Sequence, residues 1–299
     1  MTSNNQFYEH LKGAFVAIVT PFRNGKVDED GLKKLIEFQI QNGTHGIVAC
    51  GTTGESPTLT EDELKQVIHL TVKTVNNRIP VLAGTGSNST MKAVKLTQFA
   101  KEAGAKGSLS ICPYYNKPSQ EGLFEHFEYL ANECDLPIIL YNIPGRTGVN
   151  MTPDTIARLA KVENIVGIKE ASGSLDQVSQ VIAKCPKNFV VLSGDDALTL
   201  PIMALGGKGV ISTTSNCAPR LMADLVNACL EGNYREAREI HFKLLPLFKA
   251  LFCDTNPVPV KTALSLMDAI TNEIRLPLCV LSQEHVEEVR SALKELNLI

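Results

Sequence analysis

The sequence predicts an α/β fold of one architecture, a (β/α)8 TIM barrel with a C-terminal helical extension, and three observations carry that expectation. Short β-rich apolar runs alternate with helix-like segments from near the start of the chain to about residue 230. Eight such pairs occur in series, whereas a doubly wound sheet usually has fewer strands and a glycine-rich phosphate turn after its first. The residues best suited to chemistry fall just beyond the ends of the apolar runs, where the βα loops of a barrel converge.

The elements are expected in the following order. AFVAIVT (14–20) leads to a helix over 28–41, GIVAC (46–50) to one over 60–75, and VLAGT (81–85) to one over 89–103. SLSIC (108–112) precedes 119–132, PIILYN (137–142) precedes 152–160, and IVGIKEA (165–171) precedes 174–183. FVVLSG (189–194) and GVIST (209–213) close the series with helices over 195–205 and 219–230. The runs are short and bounded by turn formers, as buried parallel strands are, and the helices open on start signals and keep amphipathic spacing. Thr60-Glu61-Asp62-Glu63 is a capping box, and Ser119-Gln120-Glu121-Gly122 is a looser start. Residues 1–230 are therefore read as the barrel. Residues 231–299, with helical patterns over 234–251, 259–269 and 282–296, are read as a helical region packed on it.

Composition narrows the function classes. The chain has 299 residues, is 44% hydrophobic and 20% charged, and carries a formal net charge of -3, so a nucleic-acid partner is not expected. No apolar stretch approaches the ~20 residues of a membrane span, and the N-terminus lacks the basic and apolar regions of a secretion signal, so a cytoplasmic protein is expected. Its 8 cysteines are dispersed without a C-x-x-C pair, which suits reduced, mostly buried thiols.

Lys169 stands inside the apolar run IVGIKEAS. An ammonium buried there without a partner is costly, so either its tip pairs with a carboxylate such as Glu170 or Asp195, or the amine has chemistry to do. Near the end of the sixth strand it would lie in the barrel mouth. Desolvation disfavours the charged form of an amine, and a neutral amine attacks a ketone, so imine formation is the favoured reading. GTTGES (51–56) after the second strand lacks the ending of a phosphate loop, but its glycines and the Thr52 and Thr53 hydroxyls could surround a small carboxylate.

The chain has only 6 tyrosines, yet Tyr114, Tyr115 and Tyr141 fall at strand ends of the same mouth, where a phenol could pass protons during imine formation. Arg146, in YNIPGRTG (141–148), could clamp a carboxylate with its planar fork. The histidines at 10, 45, 69, 126, 241 and 285 show no metal-ligand spacing and no G-x-S-x-G elbow is present, so neither a metal-dependent aldolase nor a serine hydrolase is expected.

Together GTTGES, PYYNKPSQEG, YNIPGRTG, GIKEASG, SGDD and GVIST, in that order and spacing, resemble the dihydrodipicolinate synthase family, within the pyruvate-dependent class I aldolases that include N-acetylneuraminate lyase. The resemblance runs nearly end to end. It implies a lyase of lysine and diaminopimelate biosynthesis that condenses pyruvate with L-aspartate 4-semialdehyde, works without a dissociable cofactor or metal, and forms a homotetramer, a dimer of dimers. It also implies residue roles. Lys169 would form the imine, with Tyr141 as general acid and base, and Thr52 and Tyr115 would complete a proton relay, the second tyrosine reaching a neighbouring subunit. Thr53 would hold the pyruvate carboxylate and Arg146 that of the semialdehyde, while Gly194 and Ile211 would line the pocket through their backbones.

One departure concerns regulation. Family members inhibited by lysine bind it near the Tyr114 position with an acidic residue where this chain has Lys92, and with imidazoles where it has Glu61 and Leu64. Ser56, Asn88 and Tyr114 are retained, but an ammonium at Lys92 would repel the effector's amines, so weak or absent feedback inhibition is expected. The alternatives are an N-acetylneuraminate or keto-sugar lyase of the same group and, more remotely, a barrel that binds a keto acid without catalysis.

Overall fold

The computed structural model describes residues 11–299; His10 and the start of the N-terminal segment lie outside the described residues. Eight parallel strands close into a barrel. In chain order the strands are β1 (Gly13–Ala17), β2 (Phe22–Arg23), β3 (Lys26–Val27), β4 (Gly46–Ala49), β5 (Val81–Gly84), β6 (Gly107–Ile111), β7 (Ile138–Asn142), β8 (Ile165–Glu170), β9 (Val190–Ser193) and β10 (Gly209–Ser212). Neighbours in sequence pair in space from β4 to β10, and β1 closes the ring by pairing with both β4 and β10. The helices are α1 (Glu29–Gln41), α2 (Glu61–Val75), α3 (Thr90–Glu102), α4 (Gln120–Glu133), α5 (Pro144–Thr147), α6 (Pro153–Leu159), α7 (Leu175–Lys184), α8 (Thr199–Ala204), α9 (Pro219–Leu230), α10 (Tyr234–Ala250), α11 (Val258–Leu266) and α12 (Gln283–Glu295).

Two separate sets of apolar side chains explain why the strands read as unbroken apolar runs. Phe15, Val48, Leu82, Leu109, Ile139 and Ile211 fill the inside of the ring. The alternate positions, such as Val16, Ile47, Ala83, Leu140 and Val191, pack outward under the helices. With both faces dry, alternation of polar and apolar residues has no reason to appear. Burial pushes the thiols of Cys50 and Cys217 up, and that of Cys112 up to about 12, so these cysteines behave as small apolar side chains.

Register decides which way Lys169 points. Ile138 of β7 pairs with Ile165 of β8, but Ile139 pairs with Gly167, so β8 carries one extra residue, Val166. This bulge resets the two-residue alternation. Ile165 and Ile168 both join the outer core, and Lys169 arrives on the inner side next to Tyr141, its partner in the ladder.

The helices start where their caps stand. Thr60 accepts from the Glu63 N–H while Glu63 accepts from the Thr60 N–H, completing the capping box of α2. Ser119 and Ser174 cap α4 and α7 more simply, each hydroxyl accepting from one backbone N–H, that of Gly122 and that of Gln177. The single helix expected over 195–205 is instead a 3-10 turn, Asp196–Leu198, followed by α8. Pro201 is the reason: it has no N–H to give the carbonyl four residues earlier, so a continuous helix from 195 would leave that carbonyl without its partner. The hairpin of β2 and β3 was not anticipated either. Its Asn24-Gly25 turn has φ of 54° and 77°, the paired positive angles that a two-residue hairpin requires.

The C-terminal helices do not form a separate core. Leu244, Leu247 and Phe248 of α10, Val260 and Leu264 of α11 and Leu293 of α12 belong to the same buried cluster as Val16, Leu35 and Met222. No helix among the described residues is long and apolar enough to cross a membrane.

Candidate active site

Lys169, on β8, is 7% exposed, and its Nζ lies 4.3 Å from the centroid of the Tyr141 ring. Neither carboxylate that might have paired with it does so. Glu170 turns to the other side of the strand, where its carboxylate accepts from the Ser172 N–H (2.7 Å), Asn142 Nδ2 (3.1 Å) and Gln177 Nε2 (3.2 Å). Asp195 accepts from the Ala197 N–H at 2.9 Å. The Lys169 amine is thus buried against an aromatic face, and among the described residues it joins no ion pair within 4.0 Å.

The space around the lysine is provided by Gly194. Its N–H donates to the Glu170 carbonyl at 2.8 Å, fixing the start of the SGDD loop against β8. A Cβ at position 194 would lie 2.6 Å from the Ala171 Cβ and 3.1 Å from the Lys169 Cε. Ile211, 1% exposed, closes the floor from β10.

A cavity of about 390 Å³ opens beside Tyr141 and is lined at that end by Thr52, Tyr114, Tyr141 and Arg146. It continues to Ser56, Glu61, Leu64 and Lys92, so the mouth communicates with the surface between α2 and α3. Glu61 is already committed there. Its carboxylate pairs with Lys65 at 2.7 Å, and that hydrogen bond, aided by the charges of Lys92 and Lys95, holds it below the usual range.

GTTGES adopts a compact turn after β4. The Gly54 N–H donates to the Gly51 carbonyl at 3.1 Å, and the Glu55 N–H donates to the Thr52 carbonyl at 3.0 Å. Cys50 and Glu55, at either end, take φ of 56° and 54°, angles that side chains with a Cβ adopt only when the surroundings hold them. The holding groups come from the far end of the sequence. Glu55 forms a fully buried ion pair with Lys261 (2.5 Å) and accepts from the Arg275 N–H (3.2 Å). Burial pulls the Lys261 ammonium down, and Glu55 pulls it back up. Arg275 grips Glu63 with both guanidinium arms, lowering that carboxyl to about 2, and lies with Lys261 over the Phe22 ring.

Thr53, 3% exposed, accepts at its hydroxyl oxygen from Asn256 Nδ2 at 3.0 Å. Arg146 sits on the helical turn α5, exposed, with Nη2 donating to the Asn256 carbonyl at 3.1 Å. The structure therefore brings together Lys169, Tyr141, Thr52, Thr53, Arg146, Gly194 and Ile211. Tyr115 is apart from them: it is 88% exposed, with φ of 72°, on the loop after β6. The sequence reading did not assign Asn256, Lys261 or the Asn142–Glu170–Gln177 cluster. A signal existed for Lys261, which stands in the apolar stretch VPVKTALSL much as Lys169 stands in its own. Away from the mouth, donor atoms of Cys253, His285 and Glu288 lie within 4.8 Å of one another on the C-terminal side, the one such set of potential metal ligands among the described residues.

A sequence profile described as the dihydrodipicolinate synthetase family matches residues 10–296. The chain belongs to this family. Among its relatives is a 4-hydroxy-tetrahydrodipicolinate synthase of Syntrophus aciditrophicus, 57% identical over 289 residues, spanning 97% of this chain and 99% of the relative. A solved dihydrodipicolinate synthase from Aquifex aeolicus superimposes with a TM-score of 0.95 at 52% identity, covering 96% of this chain and 99% of that one. A third family member, from Cyanidioschyzon merolae, was solved with lysine bound; it is 40% identical, with a TM-score of 0.94, covering 97% of this chain and 99% of its own.

Proposed function

We propose that the chain acts as a 4-hydroxy-tetrahydrodipicolinate synthase of lysine biosynthesis, condensing pyruvate with L-aspartate 4-semialdehyde through an imine on Lys169. The observation that carries the reading is a buried amine without a carboxylate partner among the described residues, set against a tyrosine ring in the mouth of the barrel. Full-length relatives above 50% identity that bear the synthase name support it over the N-acetylneuraminate or keto-sugar lyase alternative.

The chemistry follows from the groups present. The Lys169 amine, once it has given up its proton, adds to the pyruvate ketone carbon, and the carbinolamine loses water to give a protonated imine. Tyr141, whose ring lies against the amine, and Thr52, on the same cavity wall as Tyr141, serve these proton transfers. Thr53 donates to the pyruvate carboxylate. The imine is an electron sink, so a methyl proton is lost to give an enamine, whose carbon attacks the semialdehyde carbonyl. Arg146 receives the semialdehyde's carboxylate. The substrate's own amine then attacks the imine carbon, closes the ring and displaces Lys169, restoring the enzyme without a dissociable cofactor.

The exposed position of Tyr115, outside the chain's own cavity, suits the role of relay residue for a neighbouring subunit, and we place the enzyme as a homotetramer in the cytoplasm. Sedimentation velocity reads the assembly directly. Feedback by lysine is proposed to be weak or absent: Lys92 lines the end of the cavity where an effector's amines would sit, and Glu61 is paired with Lys65. Half-inhibition of the purified enzyme by micromolar lysine would overturn that point.

The central test is borohydride reduction in the presence of pyruvate, followed by peptide mass mapping. The adduct is expected on the peptide bearing Lys169, with Lys169→Ala losing both the adduct and on the order of 1000-fold or more of the turnover. An adduct elsewhere, or near wild-type turnover in the variant, defeats the proposal.

A further inference from the structure

Asn256 lies 203 positions from Thr53 and 110 from Arg146 in sequence, yet it bonds to both. Its Nδ2 donates to the Thr53 hydroxyl oxygen at 3.0 Å, and its backbone carbonyl accepts from Arg146 Nη2 at 3.1 Å. It is 5% exposed, and its bond to Thr53 is buried, so water competes poorly for that one, whereas the bond to the exposed Arg146 is only partly shielded. A hydroxyl that accepts from an amide keeps its single proton for another acceptor, so Asn256 leaves Thr53 as a donor. A guanidinium has five N–H groups, and the bond to Asn256 uses one while holding the long side chain in place, leaving the others for a carboxylate.

We propose that Asn256 is a positioning residue that sets the donors for the two substrate carboxylates, the keto acid's at Thr53 and the amino aldehyde's at Arg146, in fixed relation to each other. The inference rests on the roles proposed above for Thr53 and Arg146. It makes the C-terminal region part of substrate recognition and not only a cover for the barrel. Two observations favour it over a purely structural role. The Asn256 Oδ1 is buried with no partner among the described residues, so an apolar side chain would cost the fold less at this position. The turn that carries Thr53 is anchored from the same region, by Lys261 on Glu55 five residues further along the chain, so both donors are referenced to one short stretch.

The test is steady-state kinetics of two variants. Asn256→Asp keeps the shape but is acceptor-only, so it takes the Thr53 proton and places a negative charge beside both carboxylates. The KM for pyruvate is expected to rise about tenfold or more in Asn256→Asp and about threefold or more in Asn256→Ala. The semialdehyde KM rises in parallel, and kcat stays within about threefold of wild type. Combining Asn256→Ala with Thr53→Val should leave the pyruvate KM within about twofold of Thr53→Val alone, since the bond is already gone. A fold defect would lower kcat and active-enzyme concentration without this selective effect on KM.

Both KM values unchanged in Asn256→Asp, or independent multiplicative effects in the combined variant, overturn the proposal. If Asn256→Ala does not fold, the Asn256→Asp criterion decides alone. Borohydride trapping of pyruvate on each variant separates this inference from the reading beneath it. Label on Lys169 with unchanged KM values removes only the role of Asn256, whereas label elsewhere removes the assignment of the site itself.

Discussion

At the scale of single residues, the position of one amine governs the site. Burying an ammonium without a partner costs several kcal/mol, and the barrel could have placed an aliphatic side chain at 169 instead. The fit around it is close: Gly194 leaves the Lys169 stem only the width that a missing Cβ provides. Gly194→Ala puts a methyl 3.1 Å from the Lys169 Cε and 2.6 Å from the Ala171 Cβ, and the backbone there is tied to the Glu170 carbonyl. The lysine must move, and a misplacement of about 1 Å at a reacting atom costs on the order of 100-fold. The variant should therefore lose at least about tenfold in kcat, with slower borohydride trapping by pyruvate; activity within twofold of wild type would show that the space is not limiting. Lys169, Tyr141, Thr52 and Arg146 were legible in the sequence because each is an unlikely residue type at the end of an apolar run. Asn256 was not, because asparagine before proline reads as an ordinary turn and its two bonds span 203 and 110 positions.

At the scale of elements, the eight barrel strands were legible to within a residue or so, apart from the C-terminal end of the first, and most helix starts to within one residue, since caps and turn formers are local signals. What the sequence could not disclose was the bulge in β8. Both faces of the strand are buried, so no polar alternation records the extra residue, and its presence depends on how β7 pairs. The bulge is nonetheless what directs Lys169 inward. Gly167, immediately after it, lies so close to β9 that an added Cβ would overlap the Val190 carbonyl oxygen. Gly167→Ala should force β8 and β9 apart or shift the bulge. The expected cost is about 2 kcal/mol or more, with a loss of activity beyond what the remaining folded fraction explains. Thermal unfolding and turnover per folded molecule check it. A change under about 0.5 kcal/mol with full activity would mean that the close approach to β9 is relieved without cost.

At the scale of the whole molecule, the strained turn of GTTGES is held by residues more than 200 positions away, through a barrel that closes between them. Glu55, at φ 54°, is fixed by the buried Lys261 pair and by the Arg275 N–H. A buried ion pair is weak evidence for stability as a pair, because desolvation of both charges offsets their attraction. Removing one partner is different, since it strands the other charge in a dry site. Lys261→Met should therefore cost about 3–5 kcal/mol, through a stranded Glu55 carboxylate, whereas Glu55→Gln combined with Lys261→Met should recover at least half of that. Urea unfolding measures both. Activity should not recover in proportion, because neither variant keeps the bond that holds Thr52 and Thr53 at the mouth. A double variant as unstable as Lys261→Met would locate the cost in packing against Phe22, and one with full turnover would mean that the turn keeps its shape without the C-terminal anchor.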